Sequence, residues 1–246
     1  MIPPELPVDA ALFLDFDGCL VEIAPRPDAI TVPPDLPGLL HRLYHRQNGA
    51  LALISGRDVA DLRRYLPDFP GAVSGSHGAE LSVAGQPVEA AHDLTLDVAA
   101  LHRDAARLCA AEPAILIERK PLGVGLHYRA DPSLADKVAA MAAELMAHYP
   151  GLVLQPAKMA FELRPDGVGK DKALTRLLSM PNFQGRKPVY AGDDLTDEVA
   201  MLEAQRQGGF AIKIGEGESC ASYRLPNPAA LADWLTHAVL GVGTTI

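Results

Sequence analysis

The chain has 246 residues, 48% hydrophobic and 22% charged, the balance of an ordinary globular protein long enough for one main core and a smaller insert. Its 31 acidic against 22 basic residues give a formal charge of −9, which makes a nucleic-acid backbone a poor partner and obliges any phosphate site to gather local positive charge or a metal. No apolar run approaches the roughly 20 residues that span a bilayer, the first ten residues lack a secretory pattern, and Cys19, Cys109 and Cys220 are too scattered for a metal site or disulfide framework, so a reduced cytoplasmic protein with no membrane partner is expected.

In chain order, Ala11 to Leu14 reads as a buried strand running into Asp15. Asp35 to Gln47 has helical spacing at Leu36, Leu39, Leu40 and Leu43; Ala50 to Ile54 is a second buried strand, and Val59 to Leu66 suits a helix that stops at Pro67. The middle differs. Leu94 to Ala110 is a helix, Ala114 to Glu118 and Gly123 to Tyr128 form a hairpin, Ser133 to His148 is a helix, and Leu152 to Leu154 with Met159 to Leu163 give two more strands. After this come a strand at Lys187 to Ala191, a helix at Thr196 to Ala204, a strand at Phe210 to Ile214 and a closing helix at Ala229 to Leu240. The pattern predicts an α/β fold: a doubly wound Rossmann-like core sheet from residues 1–90 and 166–246, with an inserted α+β cap domain over 91–165.

Four motifs sit where such a sheet places its chemistry, after strands or at helix starts. Asp15-Phe16-Asp17-Gly18 follows the first strand; two carboxylates one residue apart suit a nucleophile with a proton-handling partner and also hold a hard cation, although an acidic turn would look the same. Ser55-Gly56-Arg57 ends the second strand, either as an anion site at a helix start or as a plain N-cap. Lys170 opens a helix after a glycine-rich turn, either as the cation a phosphoryl group needs or as a solvated surface lysine. In Gly192-Asp193-Asp194-Leu195-Thr196-Asp197-Glu198, four acids in six positions repel one another unless a cation joins them. Metal binding is assigned to Asp193, with Asp194 and Asp197 as supporting groups.

This order of motifs resembles the haloacid dehalogenase superfamily of phosphotransferases, with Cys19 where the typical first motif has threonine. Over nearly the full length the chain resembles the trehalose-6-phosphate phosphatases. The resemblance rests on Asp15 to Leu20 with Ile23, Pro27 and Pro33, on Leu53 to Arg57, and on Ser76-His77-Gly78-Ala79-Glu80. It continues through Glu118-x-Lys120, Leu126 to Arg129, Phe161-Glu162-Leu163-x-Pro165, Gly169-Lys170 and the Gly192 to Glu198 run. Asp171 departs from the family's usual glycine, which leaves Lys170 or Lys172 to make the closest approach to phosphate, with Lys170 favoured by register. The resemblance implies Mg2+-dependent hydrolysis of trehalose 6-phosphate through an aspartyl phosphate. Asp15, Asp17, Ser55 and Lys170 would be catalytic, and the metal would be held by Asp15, the Asp17 carbonyl and Asp193. It also implies substrate contacts from Arg57, His77, Glu118, Lys120, His127, Arg129 and Glu162. The partner is then a small-molecule sugar phosphate and the enzyme a stand-alone monomer. The rival functions are a phosphatase of another sugar phosphate, such as sucrose 6-phosphate, and a silent sugar-phosphate-binding module, which would be expected to lose a carboxylate of the Asp-x-Asp pair.

Overall fold

The computed structural model describes residues 1–24, 26–83, 86, 88–90, 96–157 and 159–241. In chain order the elements are β1 (Ala11–Leu14), α1 (Leu36–Arg46), β2 (Leu51–Ile54), α2 (Val59–Tyr65), β3 (Ala72–Gly75), β4 (Glu80–Ser82) and β5 (Glu89–Ala90). Next come α3 (Val98–Cys109), β6 (Leu116–Lys120), β7 (Gly123–His127), α4 (Ala135–His148), β8 (Leu152–Ala157) and β9 (Ala160–Pro165). The chain closes with α5 (Lys170–Leu178), β10 (Pro188–Gly192), α6 (Glu198–Arg206), β11 (Phe210–Ile214), β12 (Tyr223–Leu225) and α7 (Pro228–Leu240). They form two compact units, Met1–Glu89 with Gly169–Ile246, and Ala90–Val168. Among the described residues no helix is long and apolar enough to cross a membrane.

The first unit holds an eight-stranded sheet in the order β12-β11-β10-β1-β2-β3-β4-β5, parallel from β12 to β3, with β4 antiparallel to β3. Alternation along the strands divides its side chains. Leu12, Leu14, Leu51, Leu53 and Val189 pack with Leu39, Leu40 and Leu43 of α1 and Leu231 and Leu235 of α7. Phe13, Ala52, Ile54, Tyr190 and Ala211 pack on the other face with Leu174 and Leu177 of α5 and Met201 of α6. Each fully buried large apolar side chain contributes about 1.5–3 kcal/mol, and only a sheet covered on both faces accounts for strands with no exposed side, such as β1. This is the doubly wound core that the sequence predicts. The sequence pattern does not mark β3, β4, β5 and β12. They are two to four residues long and, unlike the equally short β1 and β2, carry no unbroken apolar run, so pairing with their neighbours is what defines them.

The second unit is a four-stranded antiparallel sheet, β6-β7-β9-β8, so the two expected hairpins join through β7 and β9. Val124, Leu126 and Leu163 bury one face against Leu101 and Ala105 of α3 and Val138, Ala142 and Leu145 of α4. Asp97 caps α3 by accepting from the Ala100 N–H at 2.8 Å. The expected helix start at Leu94 and the expected insert boundary at Ala91 lie outside the described residues.

Candidate active site

β1 lies between β10 and β2, and its register pairs Leu14 with both Ala191 and Leu53. The residues that follow, Asp15, Asp193 and Ser55, therefore leave three neighbouring parallel strands at one carboxyl edge, where the connections diverge to opposite sides and open a crevice.

Asp15 is buried there, its N–H donating to the Ala191 carbonyl at 2.9 Å and its Oδ1 lying 3.0 Å from Lys170 Nζ. Lys170, also buried, donates to Asp197 Oδ1 at 2.6 Å. Asp197 is saturated: the Tyr190 hydroxyl donates to the same oxygen at 2.6 Å, and the N–H groups of Asp193 and Asp194 donate to Oδ2 at 3.1 and 3.0 Å. One oxygen each of Asp15, Asp193 and Asp197 lie within 4.8 Å of one another. Since four donors already occupy Asp197, Asp15 and Asp193 are the carboxylates of this cluster with capacity for a cation. The all-oxygen donor set fits a hard divalent ion.

Charge in the cluster is unbalanced. Burial, then Asp197, raise the Asp15 carboxyl well above its ordinary range despite the opposing pull of Lys170. Burial, then Asp197 and Asp194, push Asp193 up to about 7. Burial disfavours the Lys170 cation, but Asp15 and Asp197 outweigh it and raise its pKa. Burial likewise works against the Asp197 anion, and Lys170 with Tyr190 overcome it and hold that carboxyl low. Lys170 thus faces three buried or half-buried carboxylates, with Lys213 acting more weakly on Asp193, and the remaining deficit is one that a divalent cation fills.

Gly18 shapes the same spot. Its φ is +74°, and a Cβ there would meet Asp193 Oδ2 at 2.1 Å, so only glycine lets the loop after β1 reach the Asp193 carboxylate. The Cys19 thiol donates to the Ala191 carbonyl at 3.3 Å, and burial keeps it neutral by raising its pKa. It thereby makes a weak version of the tie a hydroxyl would make.

Asp17 turns away from the cluster. The Arg57 guanidinium grips it as a fork, Nε to Oδ2 at 2.6 Å and Nη2 to Oδ1 at 2.8 Å, while Nη1 donates to Asp61 Oδ2 at 2.5 Å. The guanidinium carbon lies 5.7 Å from the Phe16 ring centre and 5.1 Å from that of Tyr65. Ser55 is buried, its Oγ accepting from the Arg57 N–H at 3.2 Å. The N-cap alternative for Ser55 is overturned: Asp58 caps α2, accepting from the Asp61 N–H at 2.6 Å. His77 and Ser76 adopt left-handed backbone, φ 57° and 50°, at a cost on the order of 1 kcal/mol each. The His77 ring lies so close over Gly56 that a Cβ there would be 2.7 Å from it. Glu80 secures this turn, accepting from Ser76 Oγ at 2.8 Å and from the Val59 N–H at 3.2 Å.

Between the two candidate lysines geometry decides: Lys170 is in the cluster, and Lys172 is exposed beside Asp171 at 3.7 Å. Asp194 is exposed and caps the turn into α6 in a reciprocal box with Asp197. The four motifs do not include two polar residues of the site, Tyr190 and Lys213. Lys213 is buried, donates from Nζ to the Asp193 carbonyl, and lies 3.9 Å from Glu198 Oε1. Their signal was available: each is a polar residue with a long side chain inside an otherwise apolar strand, Pro-Val-Tyr-Ala-Gly and Phe-Ala-Ile-Lys-Ile.

In the second unit, the register β6-β7-β9 sets Glu118 opposite Gly125 and Gly125 opposite Glu162, on the sheet face turned away from α3 and α4. His127 Nε2 lies 2.8 Å from Glu118 Oε2, and Lys120 Nζ lies 2.9 Å from Glu162 Oε1 and 3.9 Å from Glu118 Oε2. Burial works against the Glu118 anion, but the His127 hydrogen bond and Lys120 outweigh it and hold that carboxyl low. Arg129 stands apart on the exposed turn after β7.

A Rossmann-like core with Asp-x-Asp, a buried lysine and an acidic loop at its carboxyl edge, joined to a separate α+β unit, has the fold of the haloacid dehalogenase-like proteins. The fold is shared with a haloacid dehalogenase-like hydrolase from Bacteroides thetaiotaomicron (TM-score 0.69, 16% identity, covering 93% of this chain and 98% of that one). Residues 13–229 match the trehalose-phosphatase family model. The chain is 35% identical over 239 residues to the trehalose-6-phosphate phosphatase of Escherichia coli strain K12, covering 94% of this chain and 87% of that protein. It is 38% identical over 208 residues to a probable trehalose-phosphate phosphatase of Sinorhizobium fredii, covering 83% and 77%. The chain belongs to the trehalose-phosphatase family.

Proposed function

We propose that this chain hydrolyses trehalose 6-phosphate to trehalose and phosphate, with Asp15 as the nucleophile. The observation that carries the proposal is the buried Asp15–Lys170 pair beside Asp193 on adjoining strand ends, in a member of this family. An Asp15 carboxylate oxygen attacks phosphorus, the bond to the sugar oxygen breaks, and Asp17 protonates the leaving oxygen. Asp17 then takes a proton from the water that attacks the aspartyl phosphate, releasing phosphate and restoring Asp15. Because Arg57 holds both Asp17 oxygens, we assign Arg57 the task of orienting Asp17 and releasing one oxygen as the proton moves. Lys170 spends two of its three protons on Asp15 and Asp197 and directs the third to a phosphoryl oxygen, joined by the Ser55 hydroxyl. Asp15, Asp193 and the Asp17 carbonyl would hold Mg2+. Bound there, it supplies the positive charge that offsets repulsion between nucleophile and phosphate. We further assign residues 91–165 as the cap that selects the sugar, a monomeric cytoplasmic enzyme, and no nucleic-acid or membrane partner.

Chelation should abolish turnover reversibly, and metal should stabilise the fold with a defined pH dependence. An acid such as Asp193, raised in the folded metal-free chain from about 4 to about 7, binds more protons folded than unfolded. Its stabilising contribution is therefore present at low pH and lost as pH rises through about 7. A cation replaces the missing proton, so saturating Mg2+ should raise Tm more at pH 8 than at pH 5 in a thermal scan. Equal shifts, or full activity after exhaustive chelation, would count against the metal assignment.

Substrate choice is tested by phosphate release from trehalose 6-phosphate, sucrose 6-phosphate, glucose 6-phosphate and a small aryl phosphate, with trehalose 6-phosphate expected to have the highest kcat/KM. Glu118→Ala should lower that value by the worth of a charge-assisted hydrogen bond, about 1.5–3 kcal/mol, or roughly 10- to 150-fold. Turnover of the aryl phosphate, which offers no sugar hydroxyls, should barely change. Equal losses on both substrates would show that Glu118 supports the fold.

A further inference from the structure

We propose that Lys213 is a positioning residue that aims the Asp193 carboxylate at the cation site. This rests on the metal assignment above and goes beyond it, since Lys213 touches neither substrate nor metal in that scheme.

Both peptide groups of Asp193 are held by charged, buried side chains. Its N–H donates to Asp197 Oδ2 at 3.1 Å, and its carbonyl accepts from Lys213 Nζ. With its backbone clamped from two sides, the residue presents its carboxylate toward Gly18 at the nucleophile loop. Lys213 comes from a rigid place: β11 pairs it directly with Gly192, so it leaves the sheet on the same face, one residue from the group it binds. Its side chain is only 6% exposed, and a lysine buried to this degree needs a compensating partner. Glu198 is that partner, 3.9 Å away, and its other oxygen accepts from the Cys220 N–H at 2.8 Å. The ammonium thus donates to one peptide carbonyl, with the Glu198 carboxylate close enough to balance its charge but not to hydrogen-bond it. A lysine needed only to fill space in β11 is replaceable by an aliphatic side chain at less desolvation cost. Its amine earns its place by what it holds, the Asp193 carbonyl.

The test is Mg2+ binding to metal-free protein, measured by isothermal titration calorimetry on wild type and Lys213→Met, alongside kcat at saturating Mg2+. Groups that orient a metal ligand typically change affinity 10- to 100-fold when removed. Lys213→Met should therefore weaken Mg2+ binding by about tenfold or more, with kcat at saturating Mg2+ falling much less. Glu198→Gln, which leaves the amine in place but removes its counter-charge, should shift affinity in the same direction by a smaller factor. It also decides the matter if Lys213→Met does not fold. Affinity within twofold of wild type in the folded variants would overturn the positioning role while leaving the metal site standing. No Mg2+ binding to wild type would overturn the metal assignment itself, and this inference with it.

Discussion

Asp15→Asn is expected to reduce phosphate release from trehalose 6-phosphate to background, a loss on the order of 10⁶-fold, as when an acting nucleophile is removed from other covalent hydrolases. An amide cannot form the acyl phosphate, and the neighbours are otherwise engaged: Asp17 is held by Arg57, Asp197 is saturated by four donors, and Asp193 is committed to the cation in the proposed scheme. The fold should survive, because burial already disfavours the Asp15 anion. A neutral side chain of the same shape removes like-charge repulsion with Asp197 and Asp193, so Tm should stay level or rise. Circular dichroism and a thermal scan check the fold, and a phosphate assay checks turnover. Near-normal activity would sink the covalent mechanism.

Lys170→Met should damage both stability and activity. Removing one partner of a buried ion pair leaves an uncompensated charge and costs about 3–5 kcal/mol. Here the abandoned partners are Asp15 and Asp197, both buried. At about 2–4 °C per kcal/mol for a chain of this size, Tm should fall by roughly 6–20 °C. Activity should fall at least 10²- to 10³-fold, the usual cost of losing one donor to a developing charge. Adding Asp197→Asn separates the two effects. The double variant should recover part of the lost Tm, because one stranded carboxylate is gone, and none of the activity, because the phosphoryl oxygens still lack their cation. Recovery of both together would make Lys170 a purely structural lysine.

Much of this protein is legible without coordinates. The apolar runs that became β1, β2, β10 and β11 end where the chemistry begins, so Asp15, Ser55 and Asp193 are marked as strand-end residues by local pattern alone. The α+β character of the middle is readable for the same reason, since α3, α4 and the hairpin strands each carry their own period. A one-dimensional pattern reports which face of an element is apolar, and burial then forces that element into a small set of layers.

Tertiary structure alone decided the partners. Lys170 stands 27 residues from Asp197, and Arg57 stands 40 from Asp17, with nothing in spacing to join them. Whether Ser55 or Asp58 caps α2 depended on where the chain turned after β2, and the choice of Lys170 over Lys172 depended on which side of α5 faces the sheet. Tyr190 and Lys213 stand out as polar residues inside apolar strands, but a strand does not record what its buried residues meet. Those meetings are set by the register of β10 against β1 and β11, a long-range pairing that no local stretch of sequence encodes. Direction along the chain comes from periodicity, whereas the balance of charge at the site comes from parallel strands brought together from distant segments.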